Sequence, residues 1–235
     1  MGALPEYGTS NEAGRENWIR QKLLGIPTGH TILDAGAGDQ KHKWGCQHLK
    51  YVSQDFAKYD GKGDSKGLQT GVYNYGELDI VSDITKIPRA DKFFDAILCS
   101  EVLEHIPHPE LAIKEFSRLL TTGGTLLLTA PFCSLTHFAP YYYANGFSQY
   151  WYSVILLEHG FKIEDIQTYG NYFEYLAQEM HRLPHIISYN GKGIRTEEEL
   201  DLISNMIKLL QKYGEPDETS HELLNFGMLV TAVKQ

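Results

Sequence analysis

The sequence predicts an α/β fold: a parallel sheet covered by helices. Three observations predict it. Short apolar runs alternate with amphipathic stretches over most of the chain, the pattern left by strands joined through crossover helices. The first apolar run ends in an almost bare turn, "ILDAGAGDQ" at 32–40, where glycine admits positive φ and lets a ligand approach the backbone. And 235 residues suffice for one α/β domain, or for one with an insertion.

The elements follow in order. "NEAGRENWIRQKLLGIP" (11–27) places Trp18, Ile19, Leu23 and Leu24 near helical spacing, with Asn11 as a cap and Pro27 as a stop. "HTILDAG" is a short buried strand, and "LKYVSQD" (49–55) is a second. Residues 56–78 carry five glycines and read as a long loop, which in a compact domain is more often functional than accidental. "LDIVSDI" (78–84) and "FFDAILCS" (93–100) are strands three and four. "PELAIKEFSRLL" (109–120) is an amphipathic helix with Pro109 at its first position. "GGTLLLTAPF" (123–132) is the fifth strand. Residues 148–160 form a helix ended by Gly160, 161–169 a strand, 171–213 helices interrupted by "PHIISYNGKG", and 222–235 the last strand.

Composition narrows the function. Hydrophobic residues make up 42% and charged residues 22%, an ordinary globular mixture. The net charge of −9 and a single short basic cluster, "KHKW" at 41–44, weigh against a phosphate-gripping nucleic-acid binder. The N-terminus lacks a basic start and an apolar core, and no apolar run approaches a membrane span. The expectation is a cytoplasmic protein acting on a small molecule, with no membrane partner. Its three cysteines form no CxxC pair, so neither a disulfide framework nor a zinc site is indicated.

The glycine turn departs from the dinucleotide fingerprint. Gly36 and Gly38 are present, but Lys41 stands where the third glycine belongs, and the acidic residue Asp34 precedes the turn. Both departures disfavour a nicotinamide or flavin cofactor. Asp55 follows 21 residues after Asp34 at a strand end, where a carboxylate can accept from both hydroxyls of a ribose. Asp83 and Ile84 close the third strand. With "FDAILCSEVLEHIPHPELAIKEFSRLLTTGGTLLLTAPF" added, the chain resembles the class I S-adenosylmethionine-dependent methyltransferases, in their small-molecule, type 11-like branch, over roughly residues 11 to 170.

That resemblance implies a Rossmann-like, seven-stranded, mostly parallel sheet in the order 3-2-1-4-5-7-6, with helices on both faces. The whole chain would be one domain: a cofactor core at about 11–170, a helical insertion at about 171–222 and a final strand at 223–233. It implies S-adenosylmethionine as cofactor. Asp34, Gly36 and Gly38 would line its methionine part. Asp55 would hold the ribose and Phe56 pack on the adenine. Asp83 and Ile84 would lie beside the adenine, and Ser100 and Glu101 under the methionine arm.

For the chemistry, Glu101, Glu104 and His105 stand at i, i+3 and i+4, one face of a helical turn. His137 would come from a neighbouring edge loop. His105 or His137, with Glu104, is read as the base for an oxygen nucleophile. The rival reading gives the same set a divalent ion. The base reading is the preferred one, and no residue is assigned as a metal ligand. Segment 132–152 is dense in aromatic residues, and Tyr141, Tyr142 and Tyr143 are taken as a substrate wall for a sugar or a planar ring; the segment also looks like that of methyltransferases of bacterial surface-polysaccharide synthesis. The expected activity is methyl transfer to a small molecule, at oxygen, with a sugar precursor as one acceptor. The alternatives are an RNA or quinone-type metal-dependent O-methyltransferase and a cofactor-binding protein without turnover.

Overall fold

The computed structural model describes residues 3–189, 191, 193 and 196–235. Its strands are β1 (Thr31–Ala35), β2 (Lys50–Asp55), β3 (Ile80–Val81), β4 (Phe94–Ser100), β5 (Leu120–Pro131), β6 (Phe161–Tyr169) and β7 (Gly227–Lys234). The helices are α1 (Asn11–Leu24), α2 (Pro109–Leu119), α3 (Gln149–Glu158), α4 (Tyr172–Tyr189) and α5 (Glu197–Gly214). The strands form one sheet in the order β3-β2-β1-β4-β5-β7-β6, as expected. The pairings β1·β2, β1·β4, β2·β3 and β4·β5 are parallel, and β7 runs antiparallel to β5.

The central strands are apolar on both faces because both faces are covered. Leu33, Ile97, Leu126, Leu128 and Val230 are fully buried, packed with Ile113, Phe116 and Leu119 of α2 and Tyr152 and Leu156 of α3. Pro109 opens α2 as expected, since its missing N–H is an orphan at that position anyway.

Three boundaries differ from expectation. β3 holds only Ile80–Val81, because the Asp79 carboxylate accepts from the Ser53 amide at 2.8 Å and the Asp83 carboxylate from the Thr85 amide at 2.8 Å. Side chains thus replace the ladder at both ends. β5 starts at Leu120 rather than Gly123. Its register against β4 jumps from Phe94↔Leu120 to Ala96↔Thr125, and Gly123, at φ +82°, lies in the irregularity, where glycine is favoured. α4 runs through Pro184 to Tyr189, where a break was expected; Asn190 and Lys192 of that segment lie outside the described residues. Proline removes one backbone donor but leaves the apolar face of α4 intact: Ala177, Met180 and Leu183 pack with Ile203, Ile207 and Leu210 of α5.

The chain divides into two compact units. One comprises Glu16–Gln167 and Gly227–Gln235; the other joins the N-terminal residues up to Arg15 with Thr168–Phe226. The first contains most of the sheet and the whole of the cavity described below. In the second, the α4–α5 pair gathers Leu4 and Tyr7, and the His181 ring bonds the Tyr7 carbonyl at 3.1 Å. α5 opens with a complete capping box between Thr196 and Glu199. Among the described residues no helix is long and apolar enough to cross a membrane.

Candidate active site

The glycine turn and the second acidic residue are one structure. After β1 the chain turns with Gly36 at φ +76° and Gly38 at φ +55°. The amides of Gly36 and Ala37 both donate to the Gln54 carbonyl at 2.8 Å. The Gly38 amide donates to Asp55 Oδ2 at 3.0 Å, and the Ala57 amide to Asp55 Oδ1 at 3.0 Å. A Cβ on Gly36 would meet Val102 Cγ2 at 2.5 Å. The turn therefore needs glycine for both its dihedral angle and its clearance.

Beside this turn lies a cavity of about 430 Å³ at the carboxyl ends of β1 to β4, where strand order reverses and open α/β sheets bind ligands. Its floor is Gly36, Asp55, Phe56, Asp83, Ile84 and Glu101. Its far wall is His105, Tyr141 and Tyr143. All nine of these belong to the residues singled out from sequence.

Six others do not line it. Asp34 is 2% exposed and accepts from the Tyr51 hydroxyl at 2.7 Å. The Gly38 amide is spent on Asp55. Ser100 pairs its hydroxyl with Thr129 at 2.9 Å. Tyr142 turns its hydroxyl to the Ser134 carbonyl at 2.7 Å, so the three tyrosines do not form one wall. Glu104, 1% exposed, and His137 stand behind His105.

The expected helical face of Glu101, Glu104 and His105 is not formed. Glu101 has φ +55°, a costly conformation for a residue with a Cβ, and a short 3₁₀ turn starts only at Leu103. Glu101 is thereby split from the other two and accepts from the Thr129 hydroxyl at 2.9 Å. Glu104, His105 and His137 come together instead. His105 Nε2 lies 3.8 Å and His137 Nε2 4.0 Å from Glu104 Oε1.

Sequence reasoning missed the roof. The loops 56–79 and 132–147 are stitched together: the Asp64 amide donates to the Ala139 carbonyl at 3.0 Å, Leu68 to Thr136 at 2.9 Å and Phe138 to Leu68 at 3.1 Å. Tyr59, Tyr73, Tyr75 and Phe138 line the cavity from these loops. The Phe138 ring stacks on Tyr59 at 4.4 Å and on His105 at 5.2 Å. Three tyrosines within a glycine-rich loop were the available signal.

Burial sets the electrostatics. It pushes the Asp34 carboxyl from 3.8 up to about 7, against the Tyr51 hydrogen bond that pulls it down. It raises the Asp55 carboxyl, offset by the amides of Ala57 and Gly38. It lowers His105 to about 4, reinforced by His137 and opposed by the Tyr141 carbonyl. His105 is therefore a neutral imidazole at neutral pH.

Residues 34–128 match the family described as a methyltransferase domain. A demethylmenaquinone methyltransferase from Renibacterium salmoninarum is 28% identical over 134 residues, 53% of each chain. A ubiquinone biosynthesis O-methyltransferase from Xanthomonas oryzae is 36% identical over 63 residues, covering 27% of this chain and 26% of that one. The chain spans about half the length, or less, of the curated relatives it matches. The phosphoethanolamine N-methyltransferase 2 of Haemonchus contortus, solved with S-adenosylmethionine, aligns with a TM-score of 0.52 at 17% identity, over 94% of this chain and 52% of that one. The 4+2 cyclase SpnF aligns at 0.56 and 16% identity, over 94% and 81%. These last two share the fold. The sheet order, the domain match over residues 34–128 and the relatives all liken the chain to the class I S-adenosylmethionine-dependent methyltransferases.

Proposed function

We propose that this chain transfers a methyl group from S-adenosylmethionine to a hydroxyl oxygen of a small molecule bearing a planar ring. The observation that carries it is the single cavity in which the carboxylate of Asp55, the bare backbone at Gly36 and the ring of His105 meet. These residues fit the cofactor. Asp55 is anchored by the backbone amides of Gly38, Ala57 and Phe56, and its two oxygens have lone pairs beyond these for a ribose diol. Phe56, Asp83 and Ile84 would frame the adenine, and Gly36 and Glu101 the methionine arm, whose amine a carboxylate suits. When bound, the cofactor supplies a methyl carbon made electrophilic by its sulfonium.

The protein's part is positioning and the handling of one proton. The residues around the cavity would hold the acceptor oxygen in line with the cofactor's carbon–sulfur bond, across which the cofactor would supply the methyl group. Alignment supplies much of the rate. The hydroxyl proton is removed at the group formed by His105, Glu104 and His137, of which His105 faces the cavity. Tyr141, Tyr143 and Phe138, which all line the cavity, would give the acceptor aromatic faces. We favour a hydroxylated aromatic ring over the sugar that the 132–152 segment suggested, because the relatives carry quinone-biosynthesis names and lend a sugar no support.

The test is turnover. The chain is incubated with methyl-labelled S-adenosylmethionine and panels of phenolic and sugar acceptors, and both labelled product and S-adenosylhomocysteine are followed. O-methylation of a phenolic acceptor is the expected result. Tight cofactor binding with no transfer to either panel would overturn the catalytic reading, and transfer only to sugars would overturn the acceptor class.

A further inference from the structure

We propose that the outer face of α5 is the contact through which two copies of this chain pair, α5 against α5 and antiparallel. α5 carries two apolar rows. Ile203, Ile207 and Leu210 form the first, and it is taken up, packed with Ala177, Met180 and Leu183 of α4. Leu202, Met206, Leu209 and Tyr213 form the second, about 100° around the helix from the first. All four are exposed, at 42 to 68%.

Spacing and charge together say what covers the second row. Its steps of four, three and four residues are those of a coiled-coil seam. With Leu202 and Leu209 as d positions and Met206 and Tyr213 as a positions, e falls on Ile203 and Leu210, on the side of α4. The g positions fall on Glu198, Asn205 and Lys212, all exposed. Asp201 and Lys208, one step farther out, repeat the order, acid near the helix start and base near its end. Laid parallel, the g flank of one helix would meet the e flank of the other, which α4 already covers. Laid antiparallel about a two-fold axis, the g flank of each helix meets the same flank reversed. Glu198 then faces Lys212 of the second copy, Asn205 faces Asn205, and Leu202 faces Leu209. One patch is thus complementary to itself in charge and in apolar register, as an isologous contact requires. The Lys212 ammonium lies 5.4 Å from the Tyr213 ring centroid, at the edge of the seam.

The helix is ready for such a contact. It is capped at Thr196 and Glu199 and packed on α4, so pairing has little backbone to order. The seam from Leu202 to Tyr213 runs roughly 17 Å at 1.5 Å per residue. A single helix pair covers less than the roughly 800 Å² per partner of a standard interface, so the pairing is weak. The flanking charges act mainly on orientation and on the rate of encounter. The helix dipole also favours acid first and base last, but it does not call for the apolar row beside them. The pairing stands apart from the methyl-transfer reading and does not depend on it.

The test is sedimentation velocity of the full chain at low salt, from about 5 to about 300 μM. The wild type should show a monomer–dimer equilibrium with a Kd on the order of 10–100 μM. Leu209→Glu, which places a charge in the seam, should weaken it at least about 10-fold. So should each charge reversal alone, Glu198→Lys with Asp201→Lys, or Lys208→Glu with Lys212→Glu, by about 10-fold or more. An equimolar mixture of the two reversed chains should associate within about threefold of the wild type, since each supplies the sign that the other lacks. A wild type still monomeric at about 300 μM, or a dimer that Leu209→Glu leaves unchanged, overturns the contact. Charge variants that pair as well as the wild type, or whose mixture stays monomeric, overturn the antiparallel arrangement. Circular dichroism checks the fold of every variant, and Leu202→Gln decides should Leu209→Glu fail to fold.

Discussion

Replacing Asp34 by Asn tests whether the acid behind the glycine turn is protonated in the fold. Asp34 is 2% exposed, accepts from Tyr51 at 2.7 Å and has its carboxyl pushed from 3.8 to about 7, first by burial. Because the folded pKa is raised, the folded state binds the proton more tightly, and stability is greatest below the unfolded value. It is lost as pH rises through about 7. Between about pH 5 and pH 8 the loss works out at roughly 2–3 kcal/mol. It follows from about 1.4 kcal/mol for each pH unit between the ordinary and the raised pKa, less the part already lost at about pH 5. Asn keeps the size of the side chain and an oxygen for Tyr51, but it does not titrate. Thermal unfolding of both proteins across this range should show the wild type losing roughly 5–10 °C more than Asp34→Asn. Parallel pH dependence would refute the reasoning, since it would mean that Asp34 is ionised in the fold at no unusual cost.

Four further outcomes are expected. Asp55→Ala should abolish measurable S-adenosylhomocysteine binding by calorimetry while far-ultraviolet circular dichroism stays unchanged; unaltered affinity would remove the ribose assignment. Gly36→Ala, forced to φ +76° and against Val102, should lower stability by about 1–2 kcal/mol from the dihedral alone and weaken the cofactor, read by denaturant unfolding and calorimetry. Phe138→Ala should raise KM for the acceptor more than it changes cofactor affinity, because Phe138 stacks between Tyr59 and His105. Glu115→Ala should cost about 2–4 kcal/mol in urea unfolding, since its buried carboxylate accepts from the Ile87 amide and from Arg118, both at 2.7 Å.

The fold was legible where burial on two faces wrote long apolar runs. β1 and β4 are of this kind; the helix opened by Pro109 showed in its amphipathic spacing, and the strand order came only with the family resemblance. What escaped reading was decided by single polar groups or by distant partners. The Asp79 and Asp83 carboxylates trimmed β3. One positive φ at Glu101 separated it from Glu104 and His105, and no spacing rule contains that. Asp34 was read by type and place, yet it is buried on the hydroxyl of Tyr51, 17 residues away, and does not line the cavity. The roof was invisible because Gln69 and Ala139, 70 residues apart, are joined through a side-chain amide, and loops without periodicity carry no such message.

On the methyl-transfer reading proposed above, the site has two halves, one for the cofactor and one for the acceptor, with different origins. The cofactor half is made of strand ends: Asp55 ends β2, Glu101 follows β4, and Gly36 follows β1. Their positions are fixed by the parallel ladder, so a short motif suffices to announce them. The acceptor half is made of two loops that hold each other, 56–79 against 132–147, with Phe138 locked between Tyr59 on one side and His105 on the other. Its shape depends on main-chain bonds such as Leu68 to Thr136 rather than on a sheet. Loop sequences can change without disturbing the ladder. One cofactor-binding frame can therefore carry many acceptors, and the acceptor is the property least readable from the cofactor motifs. His105 joins the halves: its backbone belongs to the turn after β4, its Nδ1 is held by Tyr141 of the second loop, and its ring supports Phe138. A shift in either loop therefore reaches that one imidazole.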